Sequence, residues 1–411
     1  MTSLDLDVVR AQFPSFSHPD TAPWAHLENA GGSYCPVQVV DLVTELFAHA
    51  KCQPGWDFGP SVAATEAMAR SRTVMAELFN AAEGEIHFGP STSQNTYVLA
   101  RAMRPMWDAG DEIIVTDQDH EANQGVWRRL AETGIVVKEW CVDPATGLLD
   151  VDALDALITD RTRLVAVCHA SNIAATINPV REVADRVHAV GGHIVVDGVS
   201  YAPHGIVDVA ALDCDVYVYS MYKTYGPHVG LMYTRASVLE QMTNQGHYFK
   251  EGHPEGYLTP AGPDHAMIGA AAGVADYYDA MAAAHGIEAP GRLDRAKALF
   301  GLFGAHEERL MAPLLDLLRS KPDVVVVGAD SADHAVRAPT IAFHTPRRSS
   351  ASIYDALIAA QISCGHGNFY AQRLLEALGL DIDDGVVRLS AVHYNTGAEI
   401  DRACQVLDEV L

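Results

Sequence analysis

The sequence predicts an α/β protein: a large domain on a mostly parallel seven-stranded sheet, followed by a smaller α+β C-terminal domain. Three observations carry this. Between residues 85 and 233, seven short apolar runs appear, and helical patterns separate the first five, as expected of a doubly wound sheet. After residue 265 the texture changes to long helical stretches rich in Ala, Met and Leu, with short strand-like runs among them. Finally, 411 residues are too many for one compact core, which points to two domains. The expected division is an N-terminal segment over 1–30 packing on the small domain, a large domain over 31–265 and a small domain over 266–411.

Taken in order, residues 4–13 have a helical pattern stopped by Pro14. Residues 24–36 read as a loop containing Glu28-Asn29-Ala30-Gly31-Gly32-Ser33, where two glycines permit close backbone approach. Val39, Val40, Leu42, Val43, Leu46 and Phe47 recur at helical spacing and predict a helix over 37–51. A longer one follows over 61–80. Strands are predicted at 85–88, 112–116, 135–140, 164–168, 193–196, 216–220 and 229–233, with helices at 94–106, 121–133, 150–158 and 180–190. Only a short loop joins the last two strands, which suits an antiparallel pair. Beyond residue 265, helices are expected over 265–285, 292–320, 352–360, 370–378 and from 398. Strands are expected at 323–327, 340–343, 362–364 and 386–389.

Composition bounds the function. Hydrophobic residues make up 49% and charged residues 20% of the chain, ordinary for a soluble globular protein. The formal net charge of -25 argues against nucleic acid and anionic membranes as partners. An anionic ligand therefore needs a local positive site. The seven cysteines are scattered and form no C-x-x-C, which reads as reduced thiols in the cytoplasm. The N-terminus is acidic, without a basic stretch leading into an apolar one. No run approaches the roughly 18 apolar residues of a membrane span. No metal site is predicted.

The chemistry sits at the carboxyl ends of the predicted strands, where ligands bind in such sheets. Ser91-Thr92-Ser93 opens a helix after the first strand, a place for phosphate or a plain cap. His120 follows the second and offers a ring for stacking or a solvated loop side chain. Ser171-Asn172 follows the fourth. Asp197 ends the fifth, where a carboxylate needs a cation or a helix to cap. Lys223 follows the sixth, between two apolar runs, where lost hydration makes its amine easier to deprotonate and able to form a Schiff base. Each alone has a bland reading. Together they supply a phosphate cradle, a stacking ring, a carboxylate and an amine, the needs of pyridoxal 5′-phosphate.

The order Ser-Thr-Ser, Asp-x-Asp-His-x-x-Asn, Ser-Asn, Val-Asp-Gly and Ser-x-x-Lys-x-x-Gly-Pro resembles the class V aminotransferases of fold type I, in particular their cysteine-desulfurase-like branch. The likeness extends to Asn29-Ala30-Gly31-Gly32 and to Val387-Arg388-Leu389-Ser390. It implies that Lys223 carries the cofactor and moves protons, Asp197 pairs with the ring nitrogen, His120 stacks on the ring and Asn172 bonds near the ring oxygen. Thr92, Ser93 and Ser220 would hold the phosphate, with Thr259 of a second subunit in a homodimer that shares its active sites. Ser200 and Tyr222, which stand where desulfurases have Gln and His, join the cofactor set. Arg388 would bind the substrate carboxylate as a bidentate fork. Asn29, His366, Asn368 and Tyr370 complete the expected substrate set.

One departure matters. Aligned through Ala371-Gln372, the position of the desulfurase nucleophilic cysteine holds Tyr370. Cys364 is displaced and reads as a small buried apolar residue. The expectation is an enzyme acting on an α-amino acid or cysteine conjugate, leaning to β-elimination of the C–S lyase type. Transamination, desulfuration through Cys364, epimerisation and a non-catalytic cofactor binder are the alternatives.

Overall fold

The computed structural model describes residues 3–262 and 264–411. A short strand, β1 (Ala25–His26), precedes the large sheet. That sheet contains β2 (Ile86–Gly89), β3 (Glu112–Thr116), β4 (Val136–Trp140), β5 (Thr162–Cys168), β6 (His193–Asp197), β7 (Val216–Ser220) and β8 (Gly230–Thr234). Their spatial order is β2-β8-β7-β6-β5-β3-β4. Only β8 runs antiparallel to its neighbours, as the short β7–β8 loop predicts. Residues of β5, β6 and β7 are buried almost throughout, because helices cover both faces. The two-residue period sends alternate side chains to opposite layers. Val165, Ile194, Val196 and Tyr217 join one apolar cluster, while Leu164, Ala166, Val195 and Val216 join the other.

The small domain contributes β9 (Val325–Val326), β10 (Thr340–His344), β11 (Ile362–Ser363), β12 (Gly365–Gly367) and β13 (Val386–Ser390). Four of them form an antiparallel sheet in the order β12-β13-β10-β9. β11 instead pairs in parallel with β1, which ties the N-terminal segment to this domain. That segment straddles both cores: Phe13 lies in the large cluster and Leu27 in the small one.

Several boundaries differ from expectation. The helix expected over 265–285 is broken at Ala271, into His265–Ala270 and Ala272–Ala284. Its residues pack with the large domain, so the packing does not change at 265/266. The change falls inside the 29-residue helix Arg292–Ser320. Leu299, Phe300 and Phe303 face the large cluster, and Leu310, Leu314 and Leu318 the small one. One continuous helix thus serves both cores. Among the described residues, no helix is long and apolar enough to cross a membrane.

Candidate active site

The strand ends meet at one cavity of about 170 Å³. Its anion-binding corner follows from Gly230. This residue pairs with Ser220 on one side and Gly89 on the other. A Cβ on Gly230 would lie 2.5 Å from the Ser91 carbonyl carbon and 2.7 Å from the Thr92 nitrogen. Only glycine lets the loop rest on β8 and aim helix Thr92–Met103 at the cavity. Ser91 caps that helix, accepting from the Gln94 N–H at 3.2 Å. The hydroxyls of Thr92 and Ser220 lie 2.8 Å apart, and Ser93 lines the same wall. Hydroxyls and first-turn amides of a 12-residue helix make a favourable anion site.

Asp197 ends β6, and its carboxylate accepts from the Val199 N–H at 2.9 Å. Burial pushes its pKa up to about 6, with Lys223 pulling the other way. Lys223 closes a single helical turn, Met221–Lys223, and faces the same cavity. Loss of hydration, and then Arg388, push its pKa down to about 8, while Asp197 and Glu28 oppose the change. About a tenth of the amine is therefore neutral at pH 7, far more than for an ordinary lysine. His120 does not stand in solvent as a loop side chain. Its Nδ1 accepts from the Ala122 N–H at 3.0 Å, capping helix Glu121–Arg128, while its ring lines the cavity. Burial, with the charges of Lys223 and Arg388, lowers its pKa to about 4, so the ring is uncharged.

Asn172 lines the same cavity. Its Nδ2 donates to the Phe369 carbonyl at 2.8 Å, and its buried Oδ1 has no partner. Ser200 and Tyr222 also line the cavity, and the Tyr222 ring stacks on His228 at 4.5 Å.

Other expected residues lie elsewhere. Arg388 is buried behind Asn172, to whose carbonyl its Nη1 donates at 3.1 Å. Its Nη2 donates to Glu28 Oε1 at 2.6 Å, and the guanidinium sits 3.8 Å from the centre of the Phe369 ring. Asn29 is structural rather than substrate-facing. Its Nδ2 donates to the carbonyls of Ser390 at 2.8 Å and His26 at 2.9 Å, and its Oδ1 accepts from the Tyr394 hydroxyl. His366 is also misplaced by the expectation. It pairs with Val387 on β13, so it shares that residue's face and not Arg388's, and its ring rests on Tyr354 at 4.8 Å. Asn368 and Tyr370 stand at the rim and line a separate polar cavity with Glu121 and Arg373. Tyr370 is 73% exposed, and its ring centre is 5.4 Å from that of His120. Thr259 does not reach this chain's own cavity; it lines a more apolar one with Phe88, Leu258 and Pro260.

Cys364 lies in the small-domain core, where burial pushes its thiol up to about 12. The sequence reading missed Asp119. This buried carboxylate, raised to about 7 by burial, accepts from Asn123 Nδ2 at 2.7 Å and the Cys168 N–H at 3.1 Å. It fixes the turn that presents His120. Its spacing of four from Asn123, one helical turn, was the available signal. Glu28 was missed too, because nothing local pairs residue 28 with residue 388.

Such a cavity is built to hold a phosphorylated pyridine that reacts with an amine, which defines the class as fold type I enzymes dependent on pyridoxal 5′-phosphate. The comparisons place the chain within it. A family model described as aminotransferase class V matches residues 25–403. An aminotransferase-like protein, FGM3, from Gibberella zeae is 36% identical, covering 100% of this chain and 99% of that protein. A cysteine desulfurase-like protein, ustD, from Aspergillus flavus is 31% identical, over 99% of this chain and 91% of that protein. The solved structure of the cysteine desulfurase CsdA from Escherichia coli shares the fold. Its TM-score is 0.83 at 24% identity, over 99% of this chain and 98% of that one. The chain belongs to the class V aminotransferase family and is an enzyme dependent on pyridoxal 5′-phosphate.

The residues present fit that group. The Asn172 Oδ1 lacks a partner and lines the cavity, and burial raises the pKa of Asp197 although Lys223 pulls it down. A phosphate, a ring hydroxyl and a protonated ring nitrogen would answer the helix start, Asn172 and Asp197 respectively.

Proposed function

We propose that the enzyme removes a β-substituent from an α-amino acid, with C–S cleavage of a cysteine conjugate as the favoured case. When bound at Lys223, the cofactor supplies an electron sink for the charge left when the Cα proton departs. The chain's own residues do the rest. Lys223 Nζ, with its pKa near 8, accepts the Cα proton at neutral pH and hands it to the departing thiolate, leaving an unsaturated amine that water converts to pyruvate and ammonia. Asp197 holds the proton on the ring nitrogen. His120, uncharged, covers the ring without competing for that proton. Arg388 receives the substrate carboxylate. The Cβ–S bond then breaks and the thiolate leaves with its electron pair.

The observation that favours elimination over desulfuration is that, among the described residues, neither Cys364 nor the thiol lining the cavity is placed to act as a nucleophile. Cys364 sits in the core with its pKa near 12. Cys168 does line the cavity, but burial and then the carboxylates of Asp119 and Asp197 hold its thiol protonated. Transamination is the second reading, favoured by the 36% relative described as aminotransferase-like. We further propose a cytoplasmic homodimer. Tyr97 beside the Thr259 cavity, together with Tyr248 and Phe249, leaves aromatic surface exposed for a second copy, whose Thr259 would complete the phosphate site.

The test is to incubate the holoenzyme with amino acids and cysteine conjugates. Pyruvate, ammonia and free thiol in equal amounts support elimination. Conversion of the cofactor to its pyridoxamine form, without ammonia, identifies a transaminase. Alanine with a persulfide on Cys364 would overturn both readings.

A further inference from the structure

We propose that Glu28 is a built-in occupant of the Arg388 carboxylate site, which an incoming ligand carboxylate must displace. The inference rests on the reading of Arg388 as the substrate carboxylate binder. Glu28 follows β1, and its backbone is anchored in the small domain. The Leu27 N–H donates to the Ser363 carbonyl at 2.9 Å and the Ser390 N–H to the Leu27 carbonyl at 2.7 Å. From there its side chain reaches Arg388, with Nη2 and Oε1 at 2.6 Å.

The pair is only half made. Glu28 Oε2 and Arg388 Nε are both buried and both lack a hydrogen-bond partner. A guanidinium and a carboxylate prefer two parallel bonds, and a buried charge pair with unsatisfied atoms is poorly compensated. A ligand carboxylate that engages Arg388 through two donors repairs this defect. The two partners differ in freedom. The side chain of Arg388 is 3% exposed, held by the Asn172 carbonyl and the Phe369 ring, whereas that of Glu28 is 26% exposed. Glu28 is therefore the member that yields to water. Its slot is shaped by small residues: a Cβ on Gly31 would lie 2.6 Å from Glu28 Oε1, and one on Gly365 would lie 3.1 Å from Oε2.

Glu28 thus acts as an intramolecular competitor and a determinant of specificity. It weakens every monocarboxylate ligand by the fraction of time it occupies Arg388. It also disfavours ligands that place a second negative charge beside the slot. Because Arg388 lowers and Glu28 raises the pKa of Lys223, the exchange also couples carboxylate binding to the amine.

The experiment titrates holoenzyme with propionate, a carboxylate without an amine, and measures binding by calorimetry. Glu28→Gln keeps the shape and removes the charge, while Glu28→Ala empties the slot. Both are expected to bind propionate about tenfold more tightly than wild type. Arg388→Lys is expected to lose most of the binding while keeping the cofactor absorbance. Unchanged or weaker propionate binding in both Glu28 variants, with cofactor absorbance intact, would overturn the proposal. Wild-type binding in Arg388→Lys would instead sink the reading of Arg388 itself.

Discussion

Asp197→Asn should stabilise the cofactor-free protein while destroying its function. In the folded chain the Asp197 carboxyl titrates near 6, against 3.8 for an ordinary aspartate, because burial penalises its charge. A folded pKa above the unfolded one means that the folded state holds the proton more tightly. Stability is then greatest below pH 3.8 and falls as the pH rises toward 6, levelling off above that. The difference is roughly two pKa units at about 1.4 kcal/mol each, so the charged carboxylate costs about 3 kcal/mol at pH 7.5. At pH 5 linkage gives about half of that. Asparagine carries no such penalty. Urea unfolding of the cofactor-free proteins should therefore show Asp197→Asn to be more stable at pH 7.5, by an amount that shrinks at pH 5. The same variant should bind cofactor more weakly and turn over substrate at a small fraction of the wild-type rate, since an amide cannot hold the ring nitrogen protonated. A variant less stable than wild type, or a difference independent of pH, would refute the reasoning.

Two other substitutions probe the site. Gly230→Ala drives a methyl group into backbone at Ser91 and Thr92. Overpacking of this kind costs about 1–3 kcal/mol, and displacement of the helix start should raise the cofactor dissociation constant, read by equilibrium dialysis. Cys364→Ser buries a hydroxyl in an apolar core and should cost about 1–3 kcal/mol in urea unfolding. The kcat of the folded fraction should stay unchanged, whereas a persulfide mechanism would abolish it.

The large sheet was legible because buried parallel strands are short apolar runs, and the residue after each run is where the chain meets the ligand. Thr92, His120, Asn172, Asp197 and Lys223 all lie at such ends and all line the cavity. The small domain was harder. β12 contains Gly365, His366 and Gly367, which carry no strand signal, so the two-residue alternation that turns His366 toward Tyr354 was hidden. Asn29 entered the expected substrate set through the Asn-Ala-Gly-Gly likeness, and only the long-range contact with Ser390 shows that its amide serves buried backbone. The Glu28–Arg388 pair spans nearly the whole chain and depends on β1 joining β11. No local pattern encodes that. The change of apolar cluster falls away from the boundary expected at 265 for a related reason. A break in sequence texture marks the start of helices, whereas the change of core occurs midway along a continuous one.

Borohydride reduction of the holoenzyme, followed by peptide mass analysis, tests the central claim most directly. Reduction fixes the cofactor to whichever amine carries it. The account predicts a pyridoxyl phosphate group on Lys223 alone, and loss of both the label and the yellow colour in Lys223→Ala. A label on any other lysine, or none after the protein is saturated with cofactor, would contradict it.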